Sequence, residues 1–197
     1  MTQEKKIDQF KLRIDWKPSR YHGHTVRKNL KQRTWQKVRG KVLVDNNFTC
    51  SICGFSPESE EKMKLLHVHE IEEYSQDELL CILQGLDLIC ANCHSFYHFG
   101  RSVTHFNKTQ MDNIKKHFMK VNNCSEIDFK DYYSQIAREK MKLSLKLKAE
   151  NFKDKKFRGN SILIDTVLFR IEGDIPFKEE VIKELMDKGL YRYYENE

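Results

Sequence analysis

Two Cys-x-x-Cys pairs constrain this 197-residue chain more than any other feature. Cys50-Ser-Ile-Cys53 and Cys90-Ala-Asn-Cys93 stand with 36 residues between them. Each pair can bend its own segment into a tight knuckle. Two such knuckles place four thiolates where they can close a tetrahedral site of the kind zinc occupies. Gly54 directly follows the first pair, as expected if the knuckle needs a residue free to take positive φ. The competing reading is a set of disulfides or buried free thiols. The opening MTQEKKIDQF has no apolar signal core, so the expectation is a cytoplasmic chain with reduced cysteines, which favours zinc. Cys81 and Cys124 are left over from the set of four.

The rest of the composition fits such a site. Hydrophobic residues make up 39% and charged residues 32%, which suits a soluble globular chain of one domain or a core with an appendage. No apolar run approaches the roughly 18 residues of a membrane span. The charge is unevenly spread: +9 over 1–49, −7 over 50–100, +8 over 101–159 and −4 over 160–197. A basic–acidic–basic layout fits a cation-binding centre flanked by arms that meet phosphate. The same charges can equally be solvated helix faces.

Periodicity predicts an α+β chain. Residues 1–29 form a basic N-terminal arm. Its Trp16 and Tyr21 either stack on nucleic-acid bases or tuck against the core. Trp35, Val38 and Val42 mark a helix over 30–45. Strands are expected over 64–71 and 85–89, with an acidic connection at 72–78 and an apolar run at 79–83 of either type. A helix starts at 94–100. Another spans about 110–121, capped by Thr109. A longer one runs from Ser125 to about residue 149, with Lys130, Arg138, Lys142 and Lys146 off its apolar stripe. Residues 150–160 read as a basic linker, 161–171 as a strand, and 174–188 as a helix with Asp174 as N-cap and Gly189 just past its end. The domain division expected is therefore 1–29, 30–150 and 160–197.

Histidines cluster around the second cysteine pair. His94 and His98 are four apart and share a face if a helix starts at Cys93. His67 and His69 share one side of the preceding strand. With these residues in view, the sequence resembles the HNH, or ββα-metal, endonucleases. The match runs through Cys-x-x-Cys, a strand ending at His69-Glu70-Ile71, and Leu88-Ile-Cys90-x-x-Cys93-His94-x-x-x-His98. His69-Glu-Ile-Glu-Glu-Tyr74 is similar to the H-E-[IV]-x-E-Y signature of a bacterial subgroup. His98-Phe-Gly100 and Val121-Asn-Asn-Cys-Ser125 also fit that subgroup. The resemblance covers roughly 30–150.

That resemblance implies a zinc-stabilised ββα-metal core surrounded by helices, with a C-terminal strand–helix appendage. It implies a structural Zn²⁺ on Cys50, Cys53, Cys90 and Cys93. It also implies a catalytic Mg²⁺ or Mn²⁺ held by His69, His94 and His98. His69, Glu70 and His94 become the candidate catalytic residues. Two departures stand out. Glu70 falls where the family often has histidine, so either His69 or Glu70 is the general base, and His67 is within reach of the same cleft. Gly85 or Gln84 stands near the place of the family's middle Asn, where a glycine turn would have to brace the base.

The function expected is hydrolysis of DNA phosphodiester bonds, in restriction, anti-phage defence or a mobile element. The rivals are a zinc module that binds nucleic acid without cutting it, and an effector subunit that docks a protein partner or a second copy through 160–197.

Overall fold

The computed structural model describes residues 9–15, 17–75, 78–157 and 166–193, and it is a mixed α+β structure. Packing divides the chain into two units. One joins Trp16–Ser95 to Asp165–Glu197, and the other joins Met1–Asp15 to Phe96–Ile164. This grouping differs from the expected 1–29, 30–150 and 160–197 division. The segments at the two ends of the chain are each gathered into a unit with residues far away in sequence.

The first unit is organised by a sheet. Strand β1 (Leu66–Ser75) runs antiparallel to β2 (Leu80–Cys90). The register pairs His67 with Ile89, His69 with Asp87 and Ile71 with Gly85, then shifts between Ile71 and Glu72. A register fixed this way sends alternate side chains to opposite faces. The acidic residues 72–75, expected as a connection, continue β1. Residues 79–83 and 85–89 are parts of one long strand, with Gly85 inside it. No glycine turn therefore stands at Gly85, because the bulge absorbs the extra residue without leaving the ladder.

Strand β3 (Leu168–Ile171) lies parallel to β2, giving the order β1-β2-β3. Of the expected strand over 161–171, residues 161–165 lie outside the described residues. The C-terminal strand thus folds back on β2 and completes the sheet. Its apolar alternation does this: Val167, Phe169 and Ile171 are buried while Leu168 and Arg170 are half-buried.

Helices α1 (Val26–Asn29) and α2 (Gln32–Asp45) precede the first knuckle. Val38 and Val42 are buried at the expected 3–4 spacing, and Trp35 is half-buried. Helix α7 (Lys178–Asp187) packs on β3 and α1. It starts four residues later than expected. Asp174 is not its cap, because Phe177 stands at the N-cap position in a left-handed conformation. Its end matches expectation: Gly189 has φ 65°, and the Gly189 and Leu190 N–H groups return to the Met186 and Leu185 carbonyls.

Between β2 and the second unit's helices the chain turns straight into helix α3 (Ala91–Tyr97), followed by α4 (Phe99–His105). The second unit also contains α5 (Lys108–Asn122) and α6 (Glu126–Phe157). Asn107, not Thr109, caps α5: its side chain accepts the Gln110 N–H while the Gln110 side chain accepts the Asn107 N–H, a capping box. Ser125 does serve the start of α6, its hydroxyl accepting the Asp128 N–H at 3.2 Å. That helix continues through 150–157, where a linker was expected; 158–160 lie outside the described residues.

The second unit's core is aromatic. Phe118 meets Phe10, Phe96, Phe129 and Tyr132 at ring centroid distances of 5.0–5.6 Å. The Leu12 backbone is held by both ends of the Asn122 amide, at 3.0 and 2.9 Å. Residues 9–15 are therefore structural, not a free arm. In the first unit Tyr21 is fully buried and donates to the Ser75 carbonyl at 2.6 Å, so the core reading of Tyr21 holds. Trp16 lies outside the described residues.

Candidate functional site

The four cysteines of the two knuckles meet. Their sulfurs all lie within 4.8 Å of one another, and the Cys53 and Cys90 sulfurs are 3.6 Å apart. Zinc–sulfur bonds of about 2.3 Å at tetrahedral angles demand sulfur separations of about 3.8 Å. All six cysteines are free thiols and none is paired in a disulfide. The knuckle geometry comes from backbone hydrogen bonds: the Cys50 N–H reaches the Phe55 carbonyl at 2.8 Å, and the Gly54 N–H returns to Cys50 at 3.0 Å. Gly54 takes φ 73° at that return, as expected. Ser51 N–H then ties the first knuckle to the Leu88 carbonyl of β2 at 2.9 Å, just ahead of the second knuckle.

The chemistry of the set also fits a cation. Hydrogen bonds from Cys90 and Cys93 draw the Cys50 thiol far down, while Cys90 is pushed up to about 12, first of all by its bond to Cys50. Cys93 is pushed up for the same reason. Without a cation the cluster can carry one thiolate at the expense of its neighbours; a divalent ion lets all four ionise. The four-cysteine group can hold a metal such as zinc.

A second group stands beside the first. His69, His94 and His98 each bring a ring nitrogen within 4.8 Å of the others. His69 comes from β1. His94 sits in α3, one residue past the last cysteine, and His98 follows one helical turn later as the cap of α4. Cys93 thus fixes the helix that carries the first of these histidines. His67 joins on the same side of β1. Its ring stacks on His94 at 4.7 Å with an interplanar angle of 1°, and His69 meets His94 edge-on at 5.4 Å. Strand alternation explains both contacts, since residues 67 and 69 share a face.

Alternation also removes Glu70 from the group. Its carboxylate lies with α1, accepting the Arg27 N–H at 2.8 Å. Burial, with Glu72 beside it, raises Glu70 to about 7. A base of suitable strength is thus present, but on the other face of the strand from His67 and His69. Glu72 is tied down nearby by Lys17 at 2.6 Å and by the Tyr74 hydroxyl at 2.6 Å, so this face is a buried polar clasp on the 17–29 segment. Cys81 belongs to the clasp too, donating to Glu72 at 3.3 Å, and burial pushes its thiol up out of reach of ionisation.

Three residues near the histidines were not read from the sequence as part of the site. Asp87 is the cross-strand partner of His69, and burial together with the charge of Cys50 raises its carboxyl. Arg39 on α2 approaches the Leu66 carbonyl at 3.5 Å, one residue before His67. Arg27 stacks over the Trp35 ring at 5.1 Å. Burial, then the charges of Arg39 and Arg27, hold His67 below its ordinary pKa. The cross-strand register that finds Asp87 cannot be read from one strand alone, but the four-residue spacing of Trp35 and Arg39 could have flagged the arginines. No helix of the described residues is long and apolar enough to cross a membrane.

No protein-family model matches the chain, and no curated protein or solved structure is significantly similar to it.

Proposed function

We propose that this protein is a divalent-metal-dependent endonuclease of the ββα-metal, or HNH, type, acting on DNA, with zinc at the four cysteines as a structural brace. The observation that carries the reading is the convergence of His69, His94 and His98 immediately behind a four-cysteine cluster. Two antiparallel strands running straight into a helix supply the supporting order of elements. His69, His94 and His98 would hold Mg²⁺ or Mn²⁺, which supplies positive charge to a phosphodiester under attack by water.

The chain's own groups then divide the remaining work. His67 takes the proton of the attacking water. Burial and the nearby guanidiniums favour its neutral imidazole, the form a general base needs. Stacking against His94 fixes its ring plane. Glu70 has the right basicity but the wrong side of the strand, so it serves as an anchor for α1. The layout of basic segments supports a nucleic-acid substrate, met chiefly through phosphate.

A second reading keeps the zinc brace but drops the chemistry, leaving a module that binds nucleic acid uncut. The placement of Glu70 away from the histidines favours it. Incubation of zinc-loaded protein with supercoiled plasmid in Mg²⁺ or Mn²⁺ separates the two. The nuclease reading expects nicked product from the wild type and a loss of at least about a hundredfold in His94→Ala and His67→Ala. Plasmid left supercoiled by the wild type in both metals would favour the binding module.

A further inference from the structure

We infer that Arg27 and Arg39 form a phosphate subsite on the flank of the histidine cluster, with Trp35 as its platform and Glu70 as the residue that positions Arg27. It rests on the nuclease reading for the identity of its ligand, the phosphodiester next to the bond attacked.

The geometry is built from three local facts. Trp35 and Arg39 are four residues apart on α2, so they lie one above the other on one helix face. Arg27 lays its guanidinium over the Trp35 ring at 5.1 Å, which puts the two arginines on that same face. Arg39 reaches the Leu66 carbonyl at 3.5 Å, and the next residue along β1 is His67, stacked on His94. Two cations are thereby held at the edge of a site whose other side is a set of metal-ligating imidazoles.

Neither guanidinium has a carboxylate partner among the described residues. The contrast with nearby cations is informative. Lys17 is paired with Glu72, and Lys37 with Glu180. Glu70 feels the Arg27 charge but makes its hydrogen bond to the Arg27 backbone N–H, at 2.8 Å, and no ion pair to the guanidinium stands among the described residues. That bond fixes the first turn of α1, together with Thr25, whose hydroxyl accepts the Lys28 N–H at 3.2 Å. Glu70 thus holds the backbone of Arg27 while leaving its side chain to the aromatic ring. A guanidinium backed by an aromatic face presents its N–H edge outward, and that planar fork suits two oxygens of a phosphate. Arg39, one helical turn from the Trp35 platform, can take a neighbouring oxygen or the next phosphate.

The test uses full-length, zinc-loaded protein and a fluorescein-labelled DNA duplex, with affinity read across a salt series and no divalent ion added, and nicking of supercoiled plasmid read separately with Mn²⁺. The variants are Arg27→Ala, Arg39→Ala and Arg39→Lys, with Lys62→Ala as a control for general surface charge. Arg27→Ala and Arg39→Ala should each bind about tenfold more weakly and lower the slope of log affinity against log salt by about one, while Lys62→Ala keeps the wild-type slope. Arg39→Lys should recover the slope, since the charge stays, yet recover little of the nicking rate, since the fork is lost. Should Arg39→Ala fail to fold, Arg27→Ala and Arg39→Lys carry the same comparison. A wild type that binds through both arginines but nicks nothing supports the subsite and overturns the nuclease reading. A wild type that nicks, with full affinity and unchanged slope in both alanine variants, overturns the subsite and leaves the nuclease reading standing.

Discussion

Single residues in this chain act according to which face of an element they occupy. Glu184 shows the energetic side. It is only 8% exposed, yet it accepts the Lys31 N–H at 2.7 Å and the Thr34 hydroxyl at 2.6 Å. Burial alone would raise its carboxyl, but the hydrogen bonds from Thr34 and Lys31 outweigh it and hold the pKa below the ordinary value. A depressed carboxylate contributes stability that is present above its unfolded pKa and lost as pH falls through the folded one. Glu184→Ala leaves the Lys31 N–H without its acceptor and the Thr34 hydroxyl with only its longer bond to Glu180 at 3.2 Å, so it should lower unfolding free energy by about 1–3 kcal/mol near neutral pH. Urea melts read the effect, and the gap to wild type should shrink as pH drops through the carboxylate range. An equal gap at all pH values would remove the charge from the explanation. At the same scale the sequence was legible for the cysteines, because their spacing alone states the chemistry. It was not legible for Glu70. A one-residue step along a strand reverses direction, so His69 and Glu70, adjacent in sequence, serve opposite faces. The resemblance set Glu70 in the place of the base; only the register of β1 shows that it looks toward α1.

Elements were read well where one local rule decides and poorly where the partner is remote. The α2 stripe, the end of α5 next to residue 121 and the Gly189 stop all came from periodicity or turn chemistry, and all appear in place. Helix α6 ran past its expected end because Glu150, Lys153, Lys155 and Lys156 are good helix formers and no Gly or Pro interrupts 150–157. Strand β3 was legible as a strand, but its parallel pairing with β2 was not, since that partner lies 88 residues back in the sequence. The junction of these two strands carries its own test. Glu172 and Gly173 both donate to the Leu83 carbonyl at 3.1 Å, beside the bulge that follows it. A Cβ added at Gly173 would stand 1.8 Å from the Gln84 carbonyl oxygen, so backbone must move. Gly173→Ala should therefore destabilise the protein by about 1–3 kcal/mol or more, read in urea unfolding, whereas Gly40→Ala, in open space on α2, should not. Equal stability of the two variants would mean that β3 is not held as tightly against β2 as the geometry requires.

The chain combines two metal-competent groups with a sequence that is acidic over 50–100 and basic over 1–49 and 101–159. The four cysteines join knuckles that stand 36 residues apart, and the same helix that completes them carries His94. The central proposal is that this one element would serve a structural zinc on one side and a second, exchangeable divalent ion on the other. Manganese titration of zinc-loaded protein, followed by calorimetry or electron paramagnetic resonance beside His94→Ala with zinc counted in both, tests it most directly. The account predicts one bound Mn²⁺ per chain in the wild type, its loss in His94→Ala, and one zinc per chain in each. A wild type that takes up no second metal, or a His94→Ala variant that binds Mn²⁺ as the wild type does, would contradict it.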